Sequence, residues 1–186
     1  MFYNKGYTVK NIIILTIIST FSFSAIANPT SPYVGQEARQ IKSLSKQEVA
    51  DYLSGKGLGF AKAAELNQFP GPSHVLELAN ELKLTAMQVT QTQDIFNNMK
   101  KQASLLGKQF IEMEHELDRS FSKATIDKPS LKKILADIGK LRTSIRYLHL
   151  SAHIEQKAIL TEAQIKQYDK LRGYAESQDH QHKHSH

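Results

Sequence analysis

The sequence predicts an all-α protein built on a long antiparallel helical hairpin with short helices on its flanks. Two stretches place apolar residues at alternating spacings of three and four, which is the 3.5-residue period of a narrow helix seam. Two Thr-x-x-Gln capping boxes mark helix starts. No strand-rich segment occurs in the 186 residues. These patterns favour long helices packed back to back over a thick globular core.

The two seams define the two long helices. The first seam consists of Phe96, Met99, Ala103, Leu106, Phe110, Met113 and Leu117. The second seam consists of Leu131, Ile134, Ile138, Leu141, Ile145, Leu148 and Ala152. Residues 125–128 form a short link before Pro129, so the two helices are expected to pack against each other.

Shorter helices are predicted on either side. Ser45 and Glu48 form a further capping box, and Gly55 should end the helix that it opens. Residues 60–68 can form two helical turns, and Ser73 is expected to cap a helix that continues to Leu82.

Each Thr-x-x-Gln box belongs to a longer phrase that occurs twice. The two copies are Leu84-Thr85-Ala86-Met87-Gln88 and Leu160-Thr161-Glu162-Ala163-Gln164. In each copy the threonine hydroxyl can accept from the amide three residues later, and the glutamine can accept from the threonine amide. One copy alone indicates only a well-formed helix start. Two copies in a small helical chain are a more specific signature.

The first 27 residues have the features of a Sec-type signal peptide. Lys5 and Lys10 precede a mostly apolar run, and Ala25-Ile26-Ala27 matches a cleavage site. We therefore expect cleavage after Ala27 and a periplasmic location, with residues 28–44 as an extended arm. The alternative is an uncleaved leader that anchors a regulator in the membrane, where it contacts a sensor kinase.

Composition excludes several classes of function. Loss of the leader removes two lysines and leaves 22 Lys and Arg against 18 Asp and Glu, a balance too diffuse to indicate a nucleic-acid partner. The chain has no Cys, so no disulfide supports the fold. It also lacks a G-x-S-x-G motif and an isolated carboxylate pair. We expect neither an enzyme nor a required cofactor.

The paired phrases resemble the L-T-x-x-Q signature of the Spy/CpxP-like periplasmic proteins, which include ATP-independent chaperones and heavy-metal resistance relatives. The resemblance covers roughly residues 45–173, within a predicted LTxxQ domain at 45–175. The stretches 57–67 and 70–78 look like a branch described as refolding chaperones or heavy-metal sensors. The resemblance implies a hooked, cradle-shaped homodimer that binds unfolded polypeptide weakly on its concave face.

Candidate client-binding residues lie on the second long helix. Arg142, Arg146, Leu150 and Ile154 combine two cations with apolar residues that fall outside the seam. Cations beside exposed apolar side chains can attract acidic segments and then hold apolar ones.

His149 and His153 lie four residues apart, so both imidazoles fall on one helix face. One interpretation is a shared metal ion, for which further ligands would be needed. The other is a solvated basic stripe continuous with Arg142, Arg146 and Lys157.

A His-rich tail, predicted to be disordered, ends the chain at residues 176–186. His180, His182, His184 and His186 alternate there, a density that favours Zn²⁺, Ni²⁺ or Cu²⁺. The sequence thus predicts a periplasmic chaperone-like homodimer for unfolded or stressed envelope proteins. The alternative is a periplasmic heavy-metal binding protein for metal resistance or sensing.

Overall fold

The computed structural model describes Met1 and residues 30–174, so the predicted leader beyond Met1 and the predicted His-rich tail lie outside the described residues. The chain divides into two units, Met1–Val34 and Gly35–His186. In the first unit, the amide of Val34 donates to the Ser31 carbonyl at 3.2 Å and closes a turn. All the helices described below belong to the second unit.

The described residues contain six helices and no strand, which confirms the all-α prediction. The helices are α1 (Lys46–Leu53), α2 (Lys62–Glu65), α3 (Pro72–Glu77), α4 (Ala86–Ser122), α5 (Lys128–Ile159) and α6 (Glu162–Leu171). Within residues 30–174, no helix combines the length and the apolar character that a membrane span requires.

The two long helices, α4 and α5, pack on each other more extensively than any other pair of helices among the described residues. They contain 37 and 32 residues, respectively. Phe110, Ile134, Ile138 and Ile145 are the buried residues of their shared core, and α1 adds Tyr52 to it. Four of these five residues come from the two predicted seams. The 3.5-residue period therefore located the contact between the long helices correctly.

Local signals explain where the helices begin and end. Asp127 caps α5 through a 2.9 Å bond from the Ser130 amide, and Pro129 stands in the first turn. Gly55 adopts φ +68° directly after α1, and the Lys56 amide reaches the Asp51 carbonyl at 3.0 Å. That left-handed glycine ends α1 as predicted.

The helix predicted to run from Ser73 to Leu82 is shorter, and Ser73 does not cap it. Helix α3 begins after Gly71 and ends at Glu77, and the Ser73 hydroxyl donates to the Glu77 carboxylate at 3.3 Å. Beyond α3 the chain turns, with Lys83 at φ +50°. This turn lets Leu82 join a second apolar cluster while the chain enters α4 in an extended conformation. The packing of Leu82 in this cluster thus explains why the helix ends earlier than the apolar spacing predicted.

Residues 35–44, predicted as part of an extended arm, form successive turns that contact α4. Ile41 is buried, and Lys42 forms an ion pair with Asp118 at 3.0 Å. The Ser43 hydroxyl donates to Glu114 at 2.8 Å. The segment therefore adds a layer over the C-terminal half of α4.

Gly107 permits the closest approach of α1 to α4. A Cβ atom built on Gly107 would overlap the backbone carbonyl of Tyr52. We expect Gly107→Ala to lower the free energy of unfolding by about 2 kcal/mol, because the cost of overpacking exceeds the helix propensity that alanine adds. Urea denaturation followed by circular dichroism measures this change.

Gly139 of α5 provides a matched control for that substitution. A Cβ atom on Gly139 meets nothing within 4 Å, so Gly139→Ala should raise stability by about 0.5–1 kcal/mol through propensity alone. Equal effects of the two substitutions would contradict the close approach of α1 to α4.

Candidate functional site

Both LTxxQ phrases form complete capping boxes. The Gln88 amide donates to Thr85 Oγ1 at 3.2 Å, and the Thr85 amide donates to Gln88 Oε1 at 3.0 Å. The corresponding distances for Thr161 and Gln164 are 3.2 Å and 2.9 Å. The leucines that precede the boxes, Leu84 and Leu160, join the second apolar cluster.

The two glutamine side chains also bond to each other. Gln88 Nε2 donates to Gln164 Oε1 at 2.9 Å, and Gln164 Nε2 donates to Gln88 Oε1 at 3.0 Å. Gln88 Nε2 also lies 2.8 Å from the Ile159 carbonyl, and Gln164 Nε2 lies 3.3 Å from the Leu82 carbonyl. One amide pair therefore joins the starts of α4 and α6 to the end of α5 and to the turn before α4.

A second polar pair lies beside the first and is fully buried. Gln156 Nε2 donates to Thr92 Oγ1 at 3.1 Å, and the Thr92 hydroxyl donates to the Gln88 carbonyl at 2.7 Å. This pair was not predicted from the sequence. A signal was present, since Thr92 lies four residues before Phe96 and so extends the first seam by one position.

The predicted client-binding residues lie on α5 with different degrees of exposure. Arg142 and Arg146 are exposed, Ile154 is 60% exposed, and Leu150 is half-buried. Tyr147, which sequence reasoning did not select, is 68% exposed. Spacings of three and four place Tyr147, Leu150 and Ile154 on adjacent turns of one helix face. We call these three residues the α5 ridge.

The charges on α5 are strongly biased towards cations. Its cationic residues are Lys128, Lys132, Lys133, Lys140, Arg142, Arg146 and Lys157, against the two acids Asp137 and Glu155. The Arg142 guanidinium lies 6.0 Å from the centre of the Phe60 ring, a contact that restrains its side chain. The α5 ridge thus belongs to a helix whose surface attracts negative charge.

His149 and His153 are buried, so the interpretation of a solvated basic stripe through them is wrong. Their exposed fractions are 3% and 8%. His153 Nδ1 lies 2.7 Å from the Phe69 carbonyl, and a Cβ atom on Gly57 would touch the His149 ring. The segments around α2 cover this part of α5, which helical periodicity could not reveal. Burial, and then the neighbouring His153, lower the pKa of His149 to about 4.

The described residues include no group of three or more side chains able to hold a metal ion. His149 and His153 therefore lack further protein ligands within residues 30–174. His180, His182, His184 and His186 lie outside the described residues, and metal binding by them stays a prediction.

Glu65 is the centre of a polar cluster that was not predicted from the sequence. Its Oε1 accepts from the hydroxyls of Tyr168 at 2.6 Å and Tyr174 at 3.1 Å, and its Oε2 accepts from the Gly71 amide at 3.2 Å. Arg172 Nε lies 3.6 Å from Oε1. Burial, with a smaller effect from Glu65, raises the pKa of Tyr168. Glu65 therefore connects α2 and the start of α3 to α6.

Comparison of the chain with protein-family models, with curated proteins and with solved structures found no match in any of the three. The resemblance to Spy/CpxP-like proteins therefore depends on the chain's own residues, above all the two LTxxQ phrases.

Proposed function

We propose that this protein is an ATP-independent, chaperone-like protein of the periplasm that binds unfolded or stressed envelope proteins. The observation that carries the proposal is the α5 ridge, with Tyr147 and Ile154 more than half exposed on a helix rich in cations. Its proposed ligand is an extended polypeptide segment that combines apolar and acidic residues.

Exposure on neighbouring turns distinguishes the ridge from ordinary surface residues. Single apolar side chains on a surface are common, whereas side chains that form a continuous stripe are typical of a binding surface. Helix α5 is anchored by its buried face, so the ridge is held rigid without help from a ligand. Binding that relies on a few apolar contacts and on screened charges is weak and reversible, as a chaperone without ATP requires.

The proposal includes a homodimer in which α4 and α5 form a hooked antiparallel hairpin. Phe121 in the last turn of α4 and Leu135 in α5 are also exposed, and they are available for contact with a second copy. Two copies would place two α5 ridges within reach of one unfolded chain and raise the effective affinity.

The experiment is light scattering from an aggregating denatured client in the presence of chelator. We expect the protein to suppress aggregation at near-stoichiometric amounts. The double substitution Tyr147→Ser with Ile154→Ser should raise the amount needed for half-suppression about tenfold, as loss of about 1.4 kcal/mol of binding requires. Met87→Ser with Leu105→Ser is the matched control, since both residues are exposed on α4.

Three outcomes would contradict the proposal. Equal activity of the ridge variant and the control would remove the ridge as the binding surface. If light scattering after gel filtration gives the mass of a monomer for the wild-type protein and for the variants, the proposed dimer is wrong. Suppression only after addition of Zn²⁺ or Ni²⁺ would favour the alternative, a heavy-metal resistance or sensing protein that uses the alternating tail histidines.

A further inference from the structure

A cavity of about 520 Å³ lies between the segment after α1, the start of α3, the middle of α4 and the buried face of α5. Its volume is within the range of small-molecule sites in proteins. The α5 ridge does not contribute to its lining. The cavity is therefore a feature separate from the proposed polypeptide-binding surface.

Glycines keep the cavity open on one side. Gly57 lines it and faces the Nδ1–Cε1 edge of His149, where an added Cβ atom would be in ordinary contact at 3.8 Å and 3.9 Å. Gly71 also lines the cavity, and an added Cβ atom there would lie 2.8 Å from Cε1 of His153. Larger residues at these two positions would reduce the cavity or displace a histidine.

The charge around the cavity is positive. Lys62 and Lys100 line it, and no carboxylate among the described residues forms an ion pair with either ammonium group. The charge of the lining carboxylate, Glu65, is opposed by the guanidinium of Arg172, whose Nε lies 3.6 Å from Oε1, and its oxygens already accept bonds from two tyrosines and the Gly71 amide. An anion that enters the cavity therefore meets two available cations and little repulsion.

Part of the wall is apolar, and part of the polar lining lacks partners. Leu58, Phe96 and Met99 supply apolar surface. Among the described residues, three buried side-chain polar atoms lack a hydrogen-bond partner, and two of them belong to residues that line this cavity: His149 Nε2, and Arg172 Nε, which keeps only its 3.6 Å ion pair with Glu65. Such groups are uncommon in folded proteins, where buried polar atoms are usually paired with protein or with ordered water.

We propose that this cavity binds a small organic carboxylate with an apolar body, such as a medium-chain fatty acid. The ammonium groups of Lys62 and Lys100 bind the carboxylate, while Phe96, Met99 and Leu58 contact the apolar part. Inorganic anions would leave the apolar wall uncovered, and an organic cation would meet the two lysines with the wrong charge.

Isothermal titration calorimetry with decanoate, below its micelle concentration, tests the assignment directly. We expect saturable binding at one site per chain. Decylammonium, of the same length and opposite charge, should bind at least about tenfold more weakly, and inorganic phosphate should show no saturation. Equal binding of decanoate and decylammonium would indicate adsorption to exposed apolar surface and would overturn the proposal.

Substitutions then locate the bound molecule. Gly57→Leu fills the cavity and should abolish decanoate binding, whereas Gly139→Leu, on open surface of α5, should leave the affinity unchanged. Lys62→Gln with Lys100→Gln should weaken binding about tenfold. The matched control is Lys101→Gln with Lys108→Gln, which also removes two exposed cations, but from positions of α4 outside the cavity lining. It should have little effect on the affinity for decanoate.

A thermal melt of each variant confirms that the protein remains folded. If Gly57→Leu does not fold, Ala61→Leu, on the same wall, replaces it. Retained binding in a folded cavity-filling variant, or equal loss in both lysine pairs, would contradict the site. Either result leaves the chaperone proposal intact, because Tyr147 and Ile154 lie outside the cavity lining.

Discussion

Replacement of Gln88 by glutamate is expected to lower the free energy of unfolding by about 3 kcal/mol. Glutamate serves a capping box as well as glutamine does, since either side chain accepts from the Thr85 amide. It cannot donate, however, so the bonds from Gln88 Nε2 to the Ile159 carbonyl and to Gln164 Oε1 are lost. The Ile159 carbonyl loses this donor, and a carboxylate comes to face both that carbonyl and Gln164 Oε1, which keeps its bond from the Thr161 amide; the lost donor and the facing charges cost about 1–3 kcal/mol each. Urea denaturation measures the loss.

A double-mutant cycle separates the amide pair from the two caps. Gln88→Ala and Gln164→Ala each remove one cap and one half of the pair, so the double variant should lose about 1–2 kcal/mol less than the sum of the singles. Gln91→Ala, at an exposed position of α4, is the control and should change stability by less than about 0.5 kcal/mol. A neutral Gln88→Glu, or additive singles, would mean that the two LTxxQ phrases act only as separate helix caps.

The stability of the protein is expected to fall steeply as the pH decreases from about 6.5 to about 4. The pKa of His149 is near its ordinary value of 6.5 in the unfolded chain and about 4 in the folded protein, because burial disfavours the charged ring. Between these values His149 is protonated in the unfolded chain but not in the folded protein. As the pH decreases through this range, the free energy of unfolding therefore falls by up to about 3 kcal/mol through this one group. Above pH 6.5 the contribution is fully present.

A variant separates the contribution of His149 from that of other charged groups. The charge of His153 helps to lower the pKa of His149, Arg142 lies over the neighbouring Phe60 ring, and the raised pKa of Asp169 changes stability with pH in the opposite direction. His149→Leu, with a side chain of similar volume, should flatten the stability profile between pH 6.5 and 4. Equal slopes for wild type and His149→Leu would contradict the assignment.

Helix positions and ends were predictable because their signals act over a few residues. The seams located α4 and α5, and the boxes at Thr85 and Thr161 marked the starts of α4 and α6. The prediction failed at Ser73, where the side chain resembled a cap but the chain already enters the helix after Gly71. An apolar cluster that includes Leu82, not a local signal, ends α3 early.

The candidate sites were less predictable, because they depend on residues far apart in the chain. Of the four client-binding residues selected from the sequence, Arg142, Arg146 and Ile154 are exposed, whereas Leu150 is half-buried, and client binding by all four stays a prediction. It also suggested that His149 and His153 are solvated, yet the segments around α2 cover them. The contact of His153 with the Phe69 carbonyl spans 84 residues, and no periodicity within α5 contains that information.

The amino-acid pattern by itself determined the helical class, the two long seams and the capped ends, since hydrogen bonds within four residues and apolar spacing decide these features. Only the tertiary structure decided that Gln88 and Gln164, 76 residues apart, form one amide pair. It also decided that Glu65 gathers two tyrosines and that a cavity forms beside buried His149. These arrangements depend on how the short helices fold back on α4 and α5, which packing of apolar side chains decides.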